Sequence, residues 1–191
     1  MVELYDVISA GYKDPKHQKN TLAKHGFIRD DSLSSHNNQV YYNPTQKKVI
    51  YNTTGTHNLK DWGTNFYLGA GHLKNTTRYK EAHKGIRDAK TKYQGYNVMA
   101  TGDSLGGAIT RGIASKGDKI YTLNSASTIG QKTRTGENNF RVNHDPVSIL
   151  NANSKHMKTI KNQNMITPSK LLNGYLAHVP SSIKHSGIKI I

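Results

Sequence analysis

The fold is decided by residues 96–117, YNVMATGDSLGGAITRGIASKG, where a β-rich run passes through a glycine-rich turn into an amphipathic helix. Residues 96–101 favour a strand because they are short, apolar and bounded by turn residues. From Leu105 the apolar and small residues recur at i, i+3, i+4, i+7 and i+8. This spacing predicts a helix with one buried face, ending near Gly117.

The turn between strand and helix contains Gly102-Asp103-Ser104-Leu105-Gly106, which satisfies G-x-S-x-G. In a nucleophile elbow this motif places a serine on a tight, strained strand-to-helix turn, and the residues two before and two after it must be small. Gly102 and Gly106 meet that requirement, so Ser104 is the candidate nucleophile of a serine hydrolase. The alternative is a plain tight turn, or a phosphate-binding helix N-terminus with Ser104 as its N-cap.

Strand and helix patterns alternate along the rest of the chain. The predicted elements are helices at 3–10 and 14–24, a hairpin of strands at 39–42 and 48–52, a helix at 78–93, strands at 119–124, 140–143 and about 157–160, and a short helix from Pro180 capped by Gly187. Such alternation indicates a mainly parallel sheet flanked by helices, with right-handed crossovers. We therefore predict an α/β fold, with residues 1–191 forming a single domain.

The elbow with its following residue, Gly102–Gly107, resembles that of the class 3 lipases, which is usually written G-H-S-L-G-G. Asp103 takes the place of the usual His. Upstream, residues 49–56 (VIYNTTGT) and then Asp61-Trp62 resemble the family's strand ending in R-G-T followed by D-W, with Thr54 where Arg is usual. The resemblance spans roughly residues 25 to 185. It implies a small α/β-hydrolase that cleaves carboxylic esters of lipids.

The resemblance also implies an oxyanion hole, formed by the backbone N–H groups of Thr56 and Leu105. Two preorganised donors of this kind stabilise the transition state of acyl transfer. The alternative for Gly55-Thr56 is an ordinary turn after a strand. Residues 65–75, which contain two glycines, are predicted to form a short lid over the site.

The acid of a catalytic triad follows the serine in α/β-hydrolases, and the histidine comes last. Asp118 precedes a predicted strand, and Glu137 falls in a predicted polar loop. Asp145 follows the strand at 140–143, at the carboxyl end where sites are built. Residues 143–147 (NHDPV) also resemble the family's D-x-V-P stretch, which carries the triad acid. Asp145 is the predicted acid; the alternative is a turn aspartate before a proline.

Four histidines follow the serine. His144 adjoins the acid too closely to be oriented by it, and His156 falls at the predicted strand near residue 157. His178 lies shortly before Pro180, which fits a catalytic histidine on a loop before the last helix. His185 is the rival, and for either residue the alternative is an exposed histidine without a role. Chain order does not measure the distance to the serine, so both stay open, with His178 preferred.

The composition limits both chemistry and partners. Lys and Arg number 27 against 12 Asp and Glu, and the resulting net charge of +15 attracts anionic surfaces such as phospholipid. The chain has no cysteine, which excludes disulfides, thiolate metal sites and a cysteine nucleophile. No cluster of ligands suggests a metal, so the mechanism is expected to need no cofactor.

The first residues lack the apolar core of a signal peptide, and no apolar window approaches about 18 residues. We therefore expect a soluble protein that is cytoplasmic or peripheral to a membrane or assembly.

The sequence thus predicts a lipase, phospholipase or esterase acting through Ser104, Asp145 and His178, on a lipid or ester substrate and with peripheral contact to anionic membranes. The alternative is a catalytically weak or inactive protein of the same fold that serves as a basic binding or structural component, which the residues at 54 and 103 allow. Nucleic-acid binding is disfavoured because the lysines are spread over the chain and no recognised motif occurs.

Overall fold

The computed structural model describes residues 1–56, 72–126, 133–148, 157–161 and 178–191. Its strands form one seven-stranded sheet whose spatial order follows the chain. The strands are β1 (Ile28–Arg29), β2 (Asn38–Asn43), β3 (Lys48–Thr53), β4 (Asn97–Asp103), β5 (Lys119–Leu123), β6 (Glu137–Val142) and β7 (Met157–Ile160). β1, β2 and β3 pair antiparallel, and every pairing from β3 to β7 is parallel. The predicted mainly parallel sheet is confirmed.

Helices cover both faces of this sheet. They are α1 (Leu4–Gly11), α2 (Pro15–Ala23), α3 (Thr77–Lys92) and α4 (Ser104–Ile113), with 3-10 turns at Leu73–Asn75 and Pro180–Ile183. Two of the starts have side-chain caps, because Asp14 accepts a hydrogen bond from the His17 N–H and Thr76 from the Tyr79 N–H. None of the helices in the described ranges is long and apolar enough to cross a membrane.

The hydrophobic core lies in two layers because the central strands are buried on both faces. In β3, Ile50 points into the layer under α1, which contains Val7 and Ile8. Its neighbours Val49 and Tyr51 belong to the opposite layer, packed against α3 and α4. This alternation has the period of two expected of a strand. The sheet thus fixes the ends of β3, β4 and β6 relative to one another.

Several element boundaries differ from the sequence prediction. α4 ends at Ile113 instead of Gly117, because Ala114 is extended and the Ser115 N–H donates to Asp118 Oδ2 at 2.6 Å. Glu137 is the first residue of β6 and not part of a polar loop, since it pairs with Ile120 of β5. Its side chain forms ion pairs with Arg111 and Arg134.

Two further predicted segments, one before and one after the elbow in the chain, also differ from the prediction. The short helix from Pro180 ends at Ile183, before Gly187. Of the predicted lid at 65–75, residues 65–71 lie outside the described residues, and Leu73–Asn75 form a 3-10 turn. The single-domain organisation stays a prediction.

Candidate active site

The predicted elbow is present, with no residue between strand and helix: β4 ends at Asp103 and α4 begins at Ser104. Ser104 has a φ of +52°, a left-handed conformation that is strained for a residue with a side chain. It is only 2% exposed. Among the described residues its Oγ has no hydrogen-bond partner. The strained backbone is that of a nucleophile elbow, and the serine hydroxyl is buried and forms no hydrogen bond with His178 in this structure.

The two flanking glycines are required by close packing, as the motif predicted. A Cβ at Gly106 would lie 2.1 Å from the carbonyl oxygen of Thr53 and 2.4 Å from that of Thr54. A Cβ at Gly102 would lie 2.7 Å from the carbonyl oxygen of Gly106. The first turn of α4 therefore rests directly on the backbone at the end of β3, and this contact brings the predicted oxyanion segment to the nucleophile.

The two predicted oxyanion residues both lie next to Ser104. A Cβ at Gly55 would be 2.9 Å from the Ser104 Cβ, so the chain that leads into Thr56 passes directly beside the nucleophile. Leu105 belongs to the first turn of α4, where backbone N–H groups have no acceptor within the helix. The segment that leads into Thr56 therefore passes beside Ser104, and Leu105 is the next residue along the chain from the serine.

The predicted acid and the preferred histidine form a direct pair. Asp145 Oδ1 lies 2.5 Å from His178 Nδ1, and both residues are buried. The second oxygen of Asp145 accepts hydrogen bonds from the Ser148 N–H at 2.7 Å and from its hydroxyl at 2.5 Å. An Nδ1 that donates to a carboxylate leaves Nε2 as the basic nitrogen, which is the tautomer that a general base needs.

The other candidates are placed elsewhere. His144 and His185 are exposed, and His156 lies outside the described residues. Asp118 accepts a hydrogen bond from Lys90 Nζ at 2.6 Å on the far side of the loop after α4. The contact with Asp145 thus separates His178 from its rival His185, a distinction that chain order did not make.

A cavity of about 310 Å³ opens at this site. The predicted site residues Thr56 and His178 both line it, together with the elbow residue Asp103. The opposite wall comes from α1 and the residues just after it, with Tyr5, Tyr12 and Lys13. Its lining mixes aromatic rings, hydroxyl groups and one ammonium, so it suits a ligand with both apolar and polar parts.

Two residues at this site were missed by the sequence analysis: Tyr12 and Arg78. The Tyr12 hydroxyl donates to Asp103 Oδ2 at 2.5 Å, across 91 residues of sequence. Arg78 Nη2 donates to the Thr54 carbonyl at 2.7 Å. No local pattern announces the tyrosine. For Arg78 the sequence offered only an indirect indication. The cation that is usual at position 54 in the lipase pattern is missing, and the buried carbonyl groups at the end of β3 still need a hydrogen-bond donor.

Burial perturbs the acid–base properties of all three side chains in this group. The burial of Asp103 raises the pKa of its carboxyl, and the hydrogen bond from Tyr12 opposes that rise. Burial also raises the pKa of Tyr12, and the nearby Asp103 adds to the effect. For Arg78, burial lowers the pKa of the guanidinium. Within the described ranges, no group of three or more His, Cys, Asp or Glu side chains is arranged to hold a metal ion.

The fold and the elbow define the class of the chain: an α/β-hydrolase-like protein with a strand–serine–helix turn in a mainly parallel sheet. Comparison with solved structures is more specific. The chain is similar to the Lip2 lipase from Yarrowia lipolytica, with a TM-score of 0.58 and 12% identity over 92% of this chain and 80% of that one. It is also similar to a mutant form of MDLA from Penicillium cyclopium, with a TM-score of 0.55 and 15% identity over 86% of this chain and 80% of that one.

The triacylglyceride lipase of Rhizomucor miehei matches with a TM-score of 0.52 and 14% identity, over 83% of this chain and 78% of that one. A propeptide-complex deletion mutant of the R. miehei lipase is covered over only 59% of its length. At these identities the likeness establishes the fold, which is that of the fungal class 3 lipases, as the elbow indicated. The sequence matches no protein-family model. No curated protein is similar to it by sequence.

Proposed function

We propose that this protein is a serine hydrolase that cleaves carboxylic esters of lipids, with Ser104 as nucleophile, His178 as general base and Asp145 as the orienting acid. The observation that carries the proposal is the buried Asp145–His178 hydrogen bond of 2.5 Å at a cavity that the elbow itself lines. The lipase fold supports the substrate class. An inert turn would require neither a strained serine nor a paired histidine.

In the proposed mechanism, His178 Nε2 removes the hydroxyl proton of Ser104 while Oγ attacks the ester carbonyl carbon. The negative charge of the tetrahedral intermediate is stabilised by the N–H groups of Thr56 and Leu105, each worth about 10²–10³ in turnover. The imidazolium then donates its proton to the departing alcohol, and an acyl group remains on Oγ. Water, deprotonated by the same histidine, releases the acid.

Asp145 does not change protonation state in this sequence of steps. Its charge stabilises the imidazolium and keeps the proton on Nδ1. Ser148 holds its second oxygen through two hydrogen bonds, so the carboxylate cannot rotate away from the histidine. The neighbouring side chain of Arg141 donates to Ser148 Oγ at 3.3 Å, which fixes that residue in turn.

The purified protein is expected to hydrolyse p-nitrophenyl butyrate and to bind one equivalent of a fluorophosphonate, since such a probe phosphonylates an activated serine. Ser104→Ala should abolish both. Ser115→Ala, at an exposed serine after α4, is the matched control and should retain both. Equal labelling of Ser104→Ala would contradict the proposal. Labelling without turnover would instead favour the alternative, a protein of this fold kept for binding.

Lys13 supports a preference for esters that carry a negative charge. Its side chain is exposed at the edge of the cavity, and among the described residues its ammonium forms no ion pair. The net charge of +15 acts in the same direction at longer range and supports contact with anionic lipid surfaces.

Lys13→Gln is expected to raise KM for mono-p-nitrophenyl succinate about two- to fivefold, since exposed charge pairs are weak. KM for p-nitrophenyl butyrate, a neutral ester of similar size, should not change. Added salt should reduce the difference between wild type and Lys13→Gln in KM for mono-p-nitrophenyl succinate, because it screens the ammonium. Lys16→Gln removes an exposed lysine outside the cavity and serves as control. If both lysine variants change the two KM values equally, Lys13 does not contact the substrate.

A further inference from the structure

The carboxyl of the elbow residue Asp103 and the phenol of Tyr12, the residue just after α1, surround a single backbone N–H, that of Gly55. This N–H donates to the Tyr12 hydroxyl at 2.8 Å and to Asp103 Oδ1 at 3.1 Å. Tyr12 in turn donates to Asp103 Oδ2 at 2.5 Å. The three groups close a ring of hydrogen bonds, and in a buried location they satisfy a donor that would otherwise lack an acceptor.

The Gly55 N–H belongs to the Thr54–Gly55 peptide, and the next peptide along the chain carries the Thr56 N–H. A Cβ at Gly55 would lie 2.7 Å from the Tyr12 hydroxyl and 2.9 Å from the Ser104 Cβ. The Gly55 backbone is therefore enclosed between the phenol and the nucleophile, and a small rotation of it would redirect the next N–H. Oxyanion donors act only when they are aimed at the developing charge before the reaction starts.

Arg78 holds the same segment through its carbonyl groups. Nη2 donates to the carbonyl of Thr54 at 2.7 Å and to that of Gly55 at 3.3 Å. The N–H side of the segment is thus fixed by Tyr12 and Asp103, and the C=O side by a cation from the first turns of α3. Donors and acceptors on opposite sides remove the rotational freedom of these peptides.

The two departures from the class 3 lipase pattern are explained together by this arrangement. Thr54 lacks a cation, and Arg78 brings one to the backbone of the same residue. Asp103 puts a carboxyl at the elbow, and the charged and titratable groups that face it are Tyr12, Arg78 and His178. A guanidinium near the carboxyl offsets its charge, which would otherwise oppose an oxyanion forming beside Ser104.

We propose that Tyr12 and Asp103 are positioning residues: by holding the Gly55 N–H, their hydrogen-bonded pair fixes the Thr54–Gly55 peptide and so aims the following N–H, that of Thr56, into the oxyanion hole. The inference rests on the proposed hydrolase function. It assigns the unusual elbow residue Asp103 a role in transition-state stabilisation, and it adds Tyr12, the residue just after α1, to the active site.

Tyr12→Phe tests the proposal because it removes only the hydroxyl. We expect kcat for p-nitrophenyl butyrate to fall about 10- to 100-fold with KM within twofold, as expected for an interaction needed only in the transition state. Fluorophosphonate labelling should slow by a similar factor, because it also passes through an oxyanion. Tyr121→Phe removes a hydroxyl from β5, outside both the cavity and the pair, and should behave as wild type.

Asp103→Asn provides the second variant, and the double variant with Tyr12→Phe measures their coupling. Because both side chains act through one peptide, the combined loss of kcat should be clearly smaller than the product of the single losses. Multiplicative losses would mean independent roles and would overturn the inference. A kcat for Tyr12→Phe equal to that of Tyr121→Phe, with unchanged melting temperature, would overturn it as well.

Amide hydrogen exchange separates this inference from the proposed function. Tyr12→Phe is expected to speed exchange at the Gly55 amide about tenfold, since it loses one acceptor, with no change at amides of β5. Unchanged exchange would overturn the inference whether or not the protein has activity. Absence of turnover and labelling in the wild type, with faster exchange in the variant, would contradict the hydrolase function but retain the structural role of the pair.

Discussion

Replacing His178 with alanine is expected to lower kcat for p-nitrophenyl butyrate by roughly 10⁴–10⁶, the range seen when a triad serine or histidine is lost. The histidine is the base that takes the Ser104 proton and the acid that protonates the leaving alcohol, so its loss affects both halves of the reaction. Its Nδ1 lies 2.5 Å from the buried Asp145. Removing it also deprives that carboxylate of a partner, at a cost of about 1–3 kcal/mol in stability.

His185→Ala is the control for this prediction, since His185 was the rival on chain order and is exposed in the structure. Its kcat and melting temperature should match the wild type. Activity is measured on protein whose folding has been verified by circular dichroism, at a temperature well below the lower melting point of the two variants. Loss of activity in His185→Ala with retention in His178→Ala would reverse the assignment.

The elbow could be predicted because its requirements are local. The strand pattern, the helical spacing of apolar residues and the two glycines two residues before and after Ser104 all lie within 96–117. In the structure, backbone atoms pack so closely against each of these glycines that a Cβ would not fit. The parallel sheet followed from the alternation of elements for a similar reason, since crossover geometry leaves few arrangements. β1 escaped notice because two residues are too few to display an alternating pattern.

The rest of the site depends on distances between remote parts of the chain. Asp145 and His178 are 33 residues apart, and their contact depends on where the end of β6 lies relative to the turn at Pro180. Tyr12 and Asp103 are 91 residues apart, and no local sequence pattern around either residue predicts their contact. The sequence shows that Thr54 and Asp103 depart from the class 3 lipase pattern. Only the folded structure shows that Arg78 and Tyr12 compensate for them.

Gly106→Ala is expected to destabilise the protein by about 4 kcal/mol or more, a large part of the stability of a typical domain. The added Cβ would lie 2.1 Å and 2.4 Å from the carbonyl oxygens of Thr53 and Thr54. These atoms cannot move aside easily, because β3 pairs with β2 and β4 along its length and Arg78 holds the Thr54 carbonyl. Denaturant unfolding followed by circular dichroism measures the loss.

Gly117→Ala is the matched control for the effect of a methyl group. Gly117 has a φ of +97° and open space around its Cβ position, so alanine there should cost only about 1–2 kcal/mol of backbone strain. A loss in Gly106→Ala no larger than that would contradict the close packing of α4 on β3. Because the same contact sets the distance between Ser104 and the segment leading to Thr56, any folded fraction of Gly106→Ala should also lose turnover, whereas folded Gly117→Ala should keep it.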